Sequence, residues 1–401
     1  MHGWSAVWLL LWYVWYCLFC VPLPGYSQPK TAPAETTPTW LSQANCPTFT
    51  DDLDRATLQQ ALQRSLTYVQ RLPAERMLVL GERQVTASRL RETLEAFQQL
   101  LIQAPTLGAV QQKLCTQFEI VQAAGLDGQG NVLFTSYYEM VLEGSPTPTA
   151  EFMYPLYTRP SDLIDINLEA FHPRFRGEKL VARYEQGQVL PYFTRHEIDV
   201  EGKLQARGLE LLWLRDAVDR FFLHIQGSGQ IQLPNGQTRR VNYAASNGHP
   251  YQSIGRFLIE ERRIAREELS LPTLRQYFRD HPAERARVLS YNPRYVFFRE
   301  VEQGPQGALG LILVPGRSIA TDPRLFPPAG LAFIQTQQPV LNSQNEVQSW
   351  QPLARFVLNQ DTGGAITGPG RVDLFWGSGS RAEAAAGRIK HEGKLFFLLK
   401  R

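Results

Sequence analysis

Four cysteines, four methionines and seven histidines in 401 residues leave little material for a metal centre. Cys17 and Cys20 lie inside an N-terminal apolar run, so only Cys46 and Cys115 belong to the body of the chain. The histidines are scattered and no Cys/His spacing matches a zinc site, so neither a metal nor a cofactor is expected. Charge of one sign is equally scarce. Lys and Arg number 41 against 38 Asp and Glu, and the net charge of +3 is spread too thinly to suggest nucleic acid. No internal repeat is visible.

What is present describes a globular protein, with 43% hydrophobic and 20% charged residues and length for two domains. Trp and Tyr faces suit sugars, although most aromatics in any chain are core. Trp4 to Val21 is an apolar run of about bilayer-spanning length. Gly25-Tyr26-Ser27 places small residues for a signal-peptidase cut after Ser27. No Lys or Arg precedes the run, so an uncleaved anchor is the alternative, and Tyr16 and Phe19 are too large for a lipobox at Cys17 or Cys20. Residues 1–27 are thus expected to export the chain and 28–43, rich in Pro, Thr, Ala and Ser, to form a linker. In an exported chain Cys46 and Cys115 either pair or stay as two buried thiols; the spacing leaves both open.

Apolar spacing predicts helices over Leu53 to Arg71, Ser88 to Gln103 and Val110 to Ala123. From Val132 the texture turns to β. Short strands punctuated by glycines between Thr158 and Tyr243 predict a small barrel, with Phe221 to Ile225 as a strand closed by Gln226-Gly227-Ser228-Gly229. Helices return at Ser253 to Arg263 and Ser270 to Asp280. Strands follow at Tyr295 to Phe298, Leu309 to Val314, Ala332 to Ile334, Arg355 to Leu358, Arg371 to Trp376 and Leu395 to Leu399.

The candidate chemistry sits in the terminal β region. Asp322, before Pro323, and Asp361, before Thr362-Gly363-Gly364, have the local pattern of turn aspartates that accept their own backbone N–H groups. Asp373 interrupts a strand, Val372-Asp373-Leu374, where no turn explains it. A carboxyl in a partly dry site beside aromatics has a raised pKa and suits acid catalysis on sugars. That asymmetry favours one catalytic acid, Asp373. The rivals are a two-carboxylate hydrolase using Asp373 and Asp361, and a cell-wall glycan-binding module with no chemistry.

Several stretches in collinear order resemble the MltA-type membrane-bound lytic murein transglycosylases. They are Phe134-Thr135-Ser136-Tyr137-Tyr138-Glu139, Gln226-Gly227-Ser228-Gly229, Tyr243 to Tyr251 with Ile254-Gly255-Arg256, Asn292-Pro293-Arg294-Tyr295-Val296-Phe297-Phe298, and Gly316 to Pro323. The C-terminal part is similar to the three-aspartate (3D) domain, which would make Asp322, Asp361 and Asp373 its aspartates. The resemblance implies a mainly β protein with an α-helical N-terminal section. A double-psi β-barrel domain (residues 44–157 and 244–401, the 3D region about 295–399) would carry an inserted second β-barrel (158–243), with a groove between them. It further implies non-hydrolytic cleavage of peptidoglycan, with Asp373 as acid and then base, Asp361 and Asp322 in support, and Thr135, Tyr138, Gln226, Gly227, Ser228 and Gly229 on substrate. The glycan strand is the implied partner of a monomer in the periplasm or at the outer membrane, with membrane association through the N-terminal segment.

Overall fold

The computed structural model describes residues 38–104 and 110–401. The export segment and most of the expected linker lie outside the described residues. The linker's end is a correction: Thr39–Leu41 pairs antiparallel with strand Phe118–Gln122, so the folded body begins there. Among the described residues no helix is long and apolar enough to cross a membrane.

Two expected helices form at Arg55–Val69 and Ala87–Gln103. Asp54 and Thr86 cap them by accepting the backbone N–H of Thr57 and Arg89, satisfying donors that the first turn leaves open. Their apolar stripes, Leu58, Leu62 and Leu66 from one and Leu90, Leu94 and Phe97 from the other, share a core with Phe333, Phe356 and Phe396 of the β region. The third helix stops early. It spans Gln111–Gln117, and the β-branched pair Ile120-Val121 continues as strand Phe118–Gln122 between Thr39–Leu41 and Lys390–Lys400. Cys46 and Cys115 are joined by a disulfide, with Cα atoms 5.8 Å apart.

Six strands close into a barrel in the order Lys390–Lys400, Leu331–Leu341, Val347–Asp361, Ser318–Ala320, Arg371–Ser378, Val132–Ser145 and back to Lys390–Lys400. Phe134, Ile319, Ile334, Val372, Leu374 and Phe397 fill its interior. The segment Leu309 to Val314, expected as a strand, is a loop. Gly310, at φ +70°, folds it back so that the Gly307 N–H donates to Leu311 O, although Leu311, Leu313 and Val314 remain buried.

Val132–Ser145 is longer than one barrel needs. Its second half pairs in parallel with Ser228–Gln232, which leads to Thr238–Ser246 and then Val296–Val301. Its last residues pair with Glu210–Leu214, and that strand pairs with Tyr154–Tyr157. A bridge between Thr158 and Phe298 joins the two edges into a second ring around Met140, Leu156, Leu212, Ile231, Val241 and Phe298. This ring runs from Met140 to Val301, wider than the expected 158–243, because one shared strand serves both rings. Phe221 to Ile225 is also corrected. It lies in helix Ala217–Gln226, capped by Asp216 and ended by Gly227 in the left-handed conformation at φ 78°.

Candidate active site

Alternation on the shared strand sorts its side chains. Phe134 enters the first core and Tyr138 and Met140 the second, leaving Thr135, Tyr137 and Glu139 on the opposite face. The neighbouring strand, in parallel register, aligns Asp373 with Thr135 and Phe375 with Tyr137, while Val372 and Leu374 point inward. Asp373 therefore stands on the outer face of the first barrel at the root of the strand that builds the second.

The Thr135 hydroxyl donates to Asp373 Oδ1 at 2.8 Å. Among the described residues Asp373 Oδ2 has no hydrogen-bond partner. Burial pushes the Asp373 carboxyl up to about 6, and the nearby Asp361 charge adds to this against the opposing pull of Thr135 and Arg371. The Tyr137 and Phe375 rings, 5.3 Å apart, form an apolar wall. Trp376 packs against both cores instead.

Asp361 is engaged on both oxygens. Oδ2 accepts the Tyr137 hydroxyl at 2.7 Å, and Oδ1 accepts the backbone N–H of Ala308 (2.7 Å) and Thr362 (2.8 Å). Burial raises its pKa while these donors oppose the shift. Burial, Asp361 and Asp373 all raise Tyr137, which stays a protonated donor. Asp361→Asn removes a like charge near Asp373, so a pH profile of kcat/KM that follows the Asp373 carboxyl is expected to move to lower pH. The rate is expected to drop to roughly a tenth as the loop at Ala308 loosens; an unshifted pH profile would show the two carboxylates to be uncoupled.

Asp322 is a structural anchor. Burial acts to raise its carboxyl, but Arg324 and the backbone N–H groups of Gly368 and Arg324 hold it below the usual value. Its Oδ2 accepts the Gly368 N–H at 2.7 Å and so pins the loop between Asp361 and Asp373.

The other expected contacts divide. Thr135 is at Asp373. Tyr138 is only 2% exposed and belongs to the second core; its neighbour Tyr137 is the tyrosine on the Asp373 face of the strand. Gln226 Oε1 accepts the Tyr138 N–H at 3.0 Å, tying the helix end to the shared strand. Ser228 is buried, and a Cβ on Gly229 would stand 2.6 Å from Leu223 Cδ1, so both serve packing; a Cβ on Gly227 would meet only Tyr243 Cβ, at 3.9 Å. Sequence reasoning missed Tyr137, Arg371 and Glu139. Glu139, buried, accepts from Ser378 of the first barrel (2.6 Å) and from Gln230 (2.7 Å) and Arg240 (3.1 Å) of the second. Period-2 counting from Phe134 was the signal available for Tyr137 and Glu139; Arg371 needed the pairing register.

The chain matches the MltA specific insert domain over residues 133–299 and the 3D domain over residues 317–399. It is 32% identical over 283 residues to membrane-bound lytic murein transglycosylase A of Vibrio cholerae, covering 70% of this chain and 68% of that protein. The Escherichia coli K12 protein of the same name is 32% identical over 280 residues, 69% of this chain and 68% of the relative. Among solved structures, the membrane-bound lytic murein transglycosylase of Agrobacterium tumefaciens superposes with a TM-score of 0.74 at 32% identity, covering 91% of this chain and 98% of that one. Escherichia coli MltA with bound chitohexaose gives 0.70 at 25% identity, covering 93% and 97%. A half-buried strand carboxyl with one open oxygen, two fused β rings and these relatives agree, and the chain belongs to the family of MltA-type membrane-bound lytic murein transglycosylases.

Proposed function

We propose that this enzyme cleaves the β-1,4 bond between N-acetylmuramic acid and N-acetylglucosamine of peptidoglycan without water. The observation that carries the reading is the contrast between Asp373, with Oδ2 open, and Asp361, with both oxygens taken. Protonated Asp373 gives its proton to the glycosidic oxygen, and the bonding pair leaves with the N-acetylglucosamine O4. The C6 hydroxyl oxygen of the muramyl residue closes on C1, and its proton returns to Asp373. No atom is gained or lost, the product ends in a 1,6-anhydro ring, and the acid is regenerated.

A raised carboxyl suits both halves of this cycle, since a group near 6 is protonated often enough to donate and basic enough to accept. A hydrolase needs a second free carboxylate as nucleophile or base. Asp361 supports that role poorly, because three donors hold it in place. A binding module gains nothing from ionising a half-buried acid. The closed six-strand ring is compatible with a double-psi barrel, and glycan would lie along the face carrying Thr135, Asp373 and Tyr137, with Gly227 at the second ring. The substrate places the chain in the cell envelope, in the periplasm or at the outer membrane, with Asp361 and Asp322 shaping the site. Incubation with purified sacculi separates the readings: anhydro-ended fragments support this one, whereas binding without release of fragments would leave only the module.

A further inference from the structure

Arg294 lies just before strand Val296–Val301 of the second ring, in the stretch Asn292-Pro293-Arg294-Tyr295. Its backbone is fixed: its N–H donates to Asn292 Oδ1 and its carbonyl accepts the buried Arg195 side chain at 2.7 Å. Its half-buried guanidinium reaches the first barrel. A Cβ on Gly364 would stand 3.2 Å from Cζ and Nη2 of Arg294, so the planar group lies against the backbone of the loop between Asp361 and Asp373. A larger residue at 364 would have to push the guanidinium aside.

This cation has no carboxylate, carbonyl or hydroxyl partner among the described residues. The buried arginines of the fold are paired: Arg195 and Arg220 with Asp199, Arg317 with Asp51, and Arg355 with Asp52. The same loop ends at Arg371, whose Nε is buried with no partner and whose Nη2 makes a long 3.4 Å contact with Thr135. Two guanidinium groups with donors to spare thus flank the loop that carries one end of the acid site. A half-buried guanidinium without a counter-charge keeps donors that an arriving anion can take.

We infer that Arg294 is a specificity residue for an anionic substituent of the glycan strand, a carboxylate on the muramyl residue, whether the free lactyl acid or an acid of the attached peptide. The inference rests on the function proposed above for this site. It predicts that the enzyme distinguishes muramyl-bearing strands from neutral chitooligosaccharides of equal length through this one contact.

Binding is the readout, so that failure of the cleavage reading leaves it intact. In the full chain with Asp373→Asn to stop turnover, dissociation constants are measured for peptide-bearing murein strands, for strands stripped of peptide, and for chitohexaose. Arg294→Gln is expected to weaken the first two by about tenfold or more and chitohexaose by less than about twofold. Arg294→Lys, keeping charge without the planar fork, is expected to fall between. Loss confined to peptide-bearing strands assigns the carboxylate to the peptide, loss confined to stripped strands assigns it to the free lactyl acid, and loss on both means that the contact takes either acid. Equal weakening of all three ligands, or of none, would overturn the inference. Matched thermal melts and recovery in Arg294→Lys separate this result from misfolding.

Discussion

Asp373→Asn is expected to lower turnover on murein sacculi by a factor of about 10²–10⁴, the range for removing a positioned proton donor. The amide keeps the side chain's shape but cannot deliver a proton. If the rate is parental, Asp373 is not the acid. The environment that raises the group's pKa adds a second signature. Burial brings the carboxyl up to about 6, so kcat/KM for the parental enzyme should fall as pH rises through that value. Stability carries the mirror image. A carboxyl whose folded pKa exceeds its unfolded value makes the folded state bind its proton more tightly, and that advantage is lost as pH rises from about 4 to about 6. Above pH 6 the buried charge is a burden, and Asp373→Asn is expected to stabilise the fold there by on the order of 2 kcal/mol, with no gain below pH 4. Denaturant titrations at pH 8 and pH 4 check this directly. A dead variant that is more stable only at high pH is hard to explain except by a buried functional acid.

Loss of the Cys46–Cys115 disulfide is expected to cost about 2–4 kcal/mol of stability, since it closes a segment of 69 residues. That segment contains both long helices, Arg55–Val69 and Ala87–Gln103, which cover Phe333, Phe356 and Phe396 of the first barrel. Asp51, Asp54 and Asp52 also lie in it, and they hold the buried Arg317 and the nearly buried Arg355. The double variant Cys46→Ser with Cys115→Ser should therefore unfold at lower denaturant while keeping its pH profile, because no catalytic group lies in the loop. An unchanged unfolding midpoint would mean that the helices are held by packing alone.

Much of this site is legible in the sequence, and particular residues show where legibility ends. Asp373 is visible because a carboxylate between Val372 and Leu374 breaks a strand pattern, and burial on alternate faces is a local property. Asp322 and Asp361 are visible as turn aspartates for the same reason, and both do accept backbone N–H groups. Tyr137 and Tyr138 are adjacent and chemically alike, so choosing between them needs the parity of a strand whose inward face changes hands from one core to the next. The helix Ala217–Gln226 reads as a strand because Phe221-Phe222-Leu223 is a solid apolar run; Asp216 and Gly227, as caps, mark it correctly. Leu309 to Val314 has a strand's composition but pairs only through a single bridge from Ile312 to Gln306, and its burial comes from loop packing. Residues 140–301 form one ring only through pairings distant in sequence, which no local pattern encodes.

The most direct test of the central claim is digestion of sacculi in water enriched in heavy oxygen, followed by mass analysis of the released muropeptides. If Asp373 passes its proton out and back and the C6 hydroxyl closes the ring, every new muramyl end is anhydro and carries no heavy oxygen. Muramyl ends one water heavier, bearing the label, would mean that Asp361 or another group activates water, and the one-acid account would fall.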